Sequence, residues 1–347
     1  MTFVTPRVRQ MIGCLLPTCL ALIAVPTATA QAQTNLRFVL DWAFQGQHAM
    51  FTMPIDDGTF ARLGLNVAVD RGVGSGDTVV KVASGTYDLG VADLYSMVRF
   101  NGQNPGQQLI AVMMVDDKSA LGIETLATSA IKRPQDLIGK KVGAPVGDAS
   151  RQLFPLFAEV NKIDQGSIKW SNIAPELREP MLIRGEVDAI TGHITTVMMS
   201  LRGMNTPLSA IRILPYVDFG IDLYGHALVV RPDYAQKNPE AIRNFIRGAV
   251  HGFNAMIKDR DGAATSLKKR DALINGNIEK ERIELSLDYR MMTDNVRKNG
   301  ASNVDLARLE RSLQAAGNAF ELKTIPSAVE IYTDRYLPPR AELRIGQ

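Results

Sequence analysis

Cysteine is almost missing from this sequence. Its two cysteines, Cys14 and Cys19, both lie in the first apolar stretch, so everything beyond them lacks a thiol for a disulfide, a metal thiolate or a covalent nucleophile. Histidine is scarce too, at four residues. No second histidine or carboxylate stands at helical ligand spacing beside His193, which argues against a zinc site. Gly74-Ser75-Gly76 lacks the spacing of a G-x-S-x-G nucleophile elbow, and neither sign of charge dominates, with 39 basic and 36 acidic residues. A nucleic-acid partner would want a concentrated basic face. None is visible, and neither a catalytic constellation nor a cofactor motif stands out.

One long apolar run is present. It covers 11–26, follows Arg7 and Arg9, and ends at Thr27-Ala28-Thr29-Ala30, which predicts a secretory leader over residues 1–30, cut after Ala30 or Ala32. Pro17 and Pro26 bracket a core shorter than the about 20 residues of a membrane span. Leu16-Pro17-Thr18 lacks the small-residue pair expected before a lipidated cysteine. The expected mature protein is soluble, periplasmic, monomeric and close to neutral, because the leader takes away two arginines and no acid.

With 347 residues, the chain exceeds the roughly 250–300 at which single cores stop growing. Strands at 36–40, 65–70 and 88–93 alternate with helical stretches at 51–64, where Pro54 marks a probable start, and at 77–84. That order implies a mostly parallel α/β sheet. A second unit of the same kind begins near 134, with a strand at 142–144 and a helix from Ser150. "VVKVASGTYDLGVAD" and "REPMLIRGEVDAITGH" share one plan: a helix ends at Gly85 or Gly185, a strand follows, and a polar residue, Asp93 or His193, stands where it stops. The extended segments 121–129 and 219–235 are expected to carry the chain between two lobes, 31–123 with 227–347 and 124–226, hinging near Ile123–Ala127 and Ile221–Ala227. Beyond Asn238 an apolar stripe at 242, 245, 246, 249, 250 and 253 predicts a one-faced helix, and the last hundred residues hold no low-complexity linker.

Polar residues collect at the ends of the expected strands, where open α/β sheets bind ligands. Asp41, Trp42, Gln47 and His48 follow the first strand, and suit a ligand with ring nitrogens and an amine: Trp42 stacks, Asp41 accepts, and His48 donates or accepts. Gly74, Ser75 and Gly76 precede a helix and offer N–H groups and a hydroxyl to a carbonyl or oxyanion. Gly147, Asp148, Ser150 and Arg151 occupy the corresponding loop of the second unit, with Arg151 its cationic candidate. Asp93, His193 and Tyr224 complete the candidate ligand-binding set, and no residue is assigned to catalysis or to a metal.

Six stretches, "LDW…H" (40–48), "GTFARLGLNV" (58–67), "GSGDTVVKVASGTYDLGVAD" (74–93), "IKRPQDLIGKKVGAP" (131–145), "LIRGEVDAITG" (182–192) and "YGHALVVRPDYAQKNPEAIRNF" (224–245), resemble in order the solute-binding proteins of ABC importers for sulfonates, nitrate and thiamine-pyrimidine precursors, the NMT1/THI5-like proteins. The resemblance implies a bilobal periplasmic-binding fold of the second topological type, a small-molecule ligand between the lobes, and an ABC permease as partner. It points to a hydroxymethylpyrimidine or formylaminopyrimidine type of ligand, with a sulfonate, nitrate or carboxylate as the alternative. The pyrimidine-binding branch carries Pro-Asn between the tryptophan and the histidine, where this chain has Ala43-Phe44-Gln45-Gly46-Gln47. A pyrimidine synthase shares the fold, but through a cysteine-rich motif that this chain lacks, so an enzyme is not expected. A sensor that hands its closed form to a membrane receptor is the third class.

Overall fold

The computed structural model describes residues 1–6 and 33–346. The expected leader, with Cys14 and Cys19, lies almost wholly outside the described residues. Ten strands form two five-stranded sheets. The first contains β1 (Thr34–Val39), β2 (Leu65–Asp70), β3 (Leu89–Asp93), β4 (Ile110–Met114) and, from much later in the chain, β10 (His226–Val230), in the order β2-β1-β3-β10-β4. The second contains β5 (Leu121–Leu126), β6 (Lys141–Ala144), β7 (Lys169–Asn172), β8 (Ala189–His193) and β9 (Ile211–Pro215), in the order β7-β6-β8-β5-β9.

The two sheets have one plan. In each, three strands run parallel around a central one, β1 or β6, and a single antiparallel strand, β10 or β5, is inserted beside β3 or β8. Each inserted strand is the first that the chain forms after passing from one sheet to the other. The passages are 115–120 and 216–225. The segment 121–126, expected as a crossing and hinge, is therefore a strand of the second sheet, paired on both sides. Its residues 121–125, Glu124 and Thr125 included, are buried, as in a strand covered on both faces, and such a segment reads like a linker only when its partners are not yet known.

Local sequence explains the elements that border the crevice. The paired helix-to-strand units expected around Gly85 and Gly185 form as Ser75–Ala83 with β3, and Arg178–Ile183 with β8. Both glycines have positive φ, +78° and +70°. The helix expected to begin near Pro54 begins instead at Ala49 and holds Pro54 inside it. Proline has no N–H to give the carbonyl four residues back, which here is Met50, and Gly252 of helix Pro239–Lys258 packs against that carbonyl. A Cβ on Gly252 would lie 2.0 Å from the Met50 oxygen.

The core of the first sheet is aromatic. Phe245, from the expected one-faced helix, lies with ring centroids 4.8 Å from Phe38 and 5.1 Å from Phe60, and all six positions of the stripe are buried. This packing fixes helix Ala49–Asp56, and with it the loop 41–48 that follows β1. Gly252→Ala is expected to lower stability by about 1–3 kcal/mol through overpacking against backbone. Chemical denaturation checks this, and an unchanged midpoint would show that the two helices separate without cost.

Candidate functional site

The carboxyl ends of β1, β3 and β8 converge on one buried polar cluster. Asp41 leaves β1, and a short 3-10 turn, Gly46–His48, returns His48 to it, with Nε2 3.0 Å from Asp41 Oδ1. The Gln45 N–H donates to His48 Nδ1 over 3.1 Å, so the proton that faces Asp41 sits on Nε2. His226, the first residue of β10, reaches Asp41 Oδ2 at 3.1 Å with one ring nitrogen and Asp116 Oδ2 at 2.7 Å with the other. Arg290, on a π-helical turn at Leu287–Met291, donates to the same Asp116 oxygen.

Every member of this chain is buried. Burial works against a charged His226, but Asp41 and Asp116 outweigh it and hold the imidazolium pKa up to about 10. Burial likewise opposes ionisation of Asp41, yet His226 and His48 keep its carboxyl well below the usual range. From the second sheet, His193 stacks on His226 with centroids 4.4 Å apart and planes 19° from parallel. Burial, together with the charge on His226, drives His193 well below its ordinary value, so this ring is neutral.

Several cluster atoms have no protein partner among the described residues. They are both ring nitrogens of His193, Asp93 Oδ2, Gln47 Oε1, Asp116 Oδ1 and the Nε of Arg290. Asp93 caps helix Leu94–Gln103 through Oδ1, which accepts from the N–H groups of Tyr95 and Ser96, and burial lifts its carboxyl to about 7. Asp41, Gln47, His48, Asp116, His226 and Arg290 line a cavity of about 10 Å³, room for about one water.

The other expected residues divide. Trp42 is half-buried and carries the Arg178 guanidinium over one face at 4.8 Å. The loop at Gly74–Gly76 meets the second sheet directly: the Gly76 N–H donates to Gly147 O over 3.0 Å, the Gly74 N–H donates to Asp41 O over 2.8 Å, and Ser75 Oγ accepts from the Asp93 N–H. Gly74 sits at φ +138° with Gly147 so close that a Cβ would fall 2.6 Å from its carbonyl oxygen. Two of the amides offered to a ligand are thus committed within the chain.

Asp148 accepts from Thr191 Oγ1 and the Arg151 N–H, and Ser150 Oγ donates to Gly192 O. Arg151, the expected cation of the crevice, turns away, donating to Ala144 O and lying over Trp170. Tyr224 is also outside the cluster, its hydroxyl accepting from the Asp305 N–H and its ring covered by Arg308. Besides Arg290, a guanidinium that borders the crevice is Arg178, bound to Glu179 at 2.6 Å and within 3.5 Å of Asp148.

Sequence reasoning missed Asp116, Arg178, His226 and Arg290. His226 had a signal, because a histidine opening the apolar run "HALVV" breaks the pattern just as Asp93 and His193 do. Arg290 had none, since its helix bears charges all along its length.

Asp93 yields a pH test. Below about pH 4 its carboxyl is protonated in both folded and unfolded chains and costs nothing. Between about 4 and 7 the unfolded chain releases the proton that the folded protein keeps, so folding loses stability as pH rises. Asp93→Asn keeps the cap and removes this loss. Its stability relative to wild type is expected to rise by up to about 4 kcal/mol from pH 4 to pH 7, measured by chemical denaturation, whereas a pH-independent difference would refute the assignment.

Comparisons with known proteins bear on the family and the fold. The NMT1/THI5-like family model matches residues 45–263. The formylaminopyrimidine-binding protein of Halalkalibacterium halodurans is 24% identical over 258 residues, 73% of this chain and 76% of that protein. A 4-amino-5-hydroxymethyl-2-methylpyrimidine phosphate synthase of Legionella pneumophila is 21% identical over 225 residues, 65% and 70% of the two chains. Among solved structures, the periplasmic aliphatic sulphonate binding protein of Escherichia coli superposes with a TM-score of 0.63 at 19% identity, over 90% of this chain and 92% of that one. The fold is that of the periplasmic binding proteins, and the chain belongs to the NMT1/THI5-like family.

Proposed function

We propose that this protein is a periplasmic solute receptor that captures an aminopyrimidine of the thiamine-precursor type between its two sheet units and delivers it to an ABC import permease. One observation carries the choice of ligand: the buried arginines at the crevice already hold carboxylates, and the atoms left without partners, Arg290 Nε apart, are imidazole, amide and carboxyl atoms. Arg290 holds Asp116, Arg178 holds Glu179, and Arg282 holds Glu279. A sulfonate would find no unneutralised cation and would face Asp41 and Asp116, a desolvated like-charge arrangement. A neutral heterocycle finds acceptors for its amino group at Gln47 and Asp93, and a neutral imidazole at His193 for its ring nitrogens or carbonyl. The free face of Trp42 adds a stacking surface.

The formylaminopyrimidine-binding relative supports the same class. Capture without turnover is the reading for this chain, as it has no cysteine beyond Cys19 to build the motif of the pyrimidine synthase. Calorimetric titration tests the ligand. A formylaminopyrimidine is expected to bind and an alkanesulfonate not to. Trp42→Ala should weaken binding roughly thirty- to a thousandfold, the cost of truncating an anchor of about 2–4 kcal/mol. Tight alkanesulfonate binding, or consumption of the pyrimidine by the purified protein, would overturn the proposal.

Capture also requires movement, because a cavity of about 10 Å³ admits no heterocycle. The sheet units are expected to separate about the passages 115–120 and 216–225 and to close on the solute. Small-angle scattering should show a smaller radius of gyration at saturating pyrimidine than without it. Identical curves would exclude a hinge.

A further inference from the structure

A cavity of mixed polar and apolar lining lies apart from the crevice, and Arg151 lines it. Its volume is about 220 Å³, and its lining includes Arg99, Arg151, Gln152, Gln165 and Trp170. None of these residues lines the cavity around Asp41 and His226. Arg99 comes from helix Leu94–Gln103, which follows β3 of the first sheet, while Arg151 and Trp170 belong to the second. The cavity therefore sits where the two sheet units meet.

Its charges differ in kind from those of the crevice. No carboxylate lines it. Arg99 makes no hydrogen bond or ion pair among the described residues, and its guanidinium only approaches the Phe320 ring, at 5.8 Å. Arg151 spends one Nη1 hydrogen bond on the Ala144 carbonyl and covers Trp170 at 4.8 Å, leaving further donors open. Burial and the neighbouring charge of Arg99 both push Arg151 below the ordinary guanidinium range, against the opposing pull of Asp148. Two half-buried guanidiniums held near each other with no acid between them repel, and guanidinium forks match tetrahedral oxyanions bidentately.

We propose that Arg99 and Arg151, with the amides of Gln152 and Gln165, form a binding site for a tetrahedral oxyanion of the phosphate or sulfate class, either free or as the phosphoryl group of a phosphomonoester. The bound anion joins the two sheet units through one arginine from each, so its occupancy favours their closed arrangement. This site is independent of which solute the crevice takes.

Thermal unfolding of the full mature chain, titrated with sodium phosphate at ionic strength held constant with chloride, tests the site. Sulfate and glycerol phosphate run as parallel arms. Wild type is expected to show a saturable rise in Tm, since binding to the folded state alone stabilises logarithmically with concentration. Arg99→Gln should weaken the apparent affinity about tenfold to a hundredfold, as expected for the loss of one charge-assisted contact. In chloride alone Arg99→Gln should melt at or above the wild-type temperature, because it relieves repulsion and breaks no hydrogen bond. Arg151→Gln should also weaken the response, but it costs the Ala144 contact, so Arg99→Gln decides. A larger shift with glycerol phosphate than with phosphate assigns the anion to a phosphomonoester, and the reverse assigns it to the free ion. A rise that is linear and equal in wild type and Arg99→Gln, the signature of solute exclusion, overturns the proposal. So does the lack of any saturable rise in wild type, or a lower Tm of Arg99→Gln in chloride.

Discussion

His226 carries the crevice. A charged imidazole buried between two carboxylates, with Arg290 on Asp116, is the condition under which Asp41 and Asp116 both remain ionised away from water, and it ties together segments far apart in the chain. Asp41 ends β1, Asp116 follows β4, and Arg290 arrives from a helix far along the chain. Such a network is expensive to desolvate, and removing one partner leaves an uncompensated charge, a larger loss than the net worth of any pair. Its position explains the topology around it. Because β10 is inserted antiparallel beside β3, its first residue stands opposite Asp93, the last of β3, and this places His226 at the floor of the crevice.

On the proposed function, the same network governs what the crevice accepts. Cations there are neutralised within the protein, so the field left to a solute is nearly balanced, with hydrogen-bonding groups rather than charge as the basis of choice. His193 illustrates this. Its ring is uncharged because it is buried and stacks on a charged one, and a neutral imidazole offers one donor and one acceptor where an imidazolium would offer two donors. Discrimination then rests on pairing buried polar atoms, the kind of selection that rejects a mismatched solute by leaving those atoms unpaired.

The fold was largely legible in the sequence, and the crevice only half so. Period-two and apolar runs with glycine stops located β2 and β3 within a residue, and the repeated helix-to-strand plan put Asp93 and His193 at matching strand ends. The linker reading of 121–126 failed because a fully buried central strand and an apolar connection have one composition, and only the pairing partners distinguish them. Asp41, Gln47 and His48 were found because they break an apolar run beside one strand. Arg290 and Asp116 were not: Arg290 owes its place to tertiary contacts and does not depart from its local pattern, whereas Asp116 ends the apolar run 109–115 and carried the same signal as Asp93. Arg151 was assigned to the right loop and the wrong side of it. A residue one step into a helix points by its rotamer and backbone direction, which spacing alone does not encode.

That last displacement separates two uses of arginine in one molecule. Where a guanidinium borders the solute crevice, an acid accompanies it in the sequence or the fold: Arg178 has Glu179 beside it, and Arg282 has Glu279 one helical turn away. At the junction of the sheet units, Arg99 and Arg151 have no such companion in the cavity they share. An unpaired guanidinium on an open surface is ordinary, because water solvates it. Two of them half-buried on elements that come together when the sheet units meet is a different matter, because each approach brings like charges nearer in a medium that screens them poorly. On the proposed hinge motion, closure without a counterion works against that repulsion, and closure with one turns it into attraction. The electrostatics that leave the crevice neutral thus coincide with two like charges gathered in a separate cavity at the junction of the sheet units.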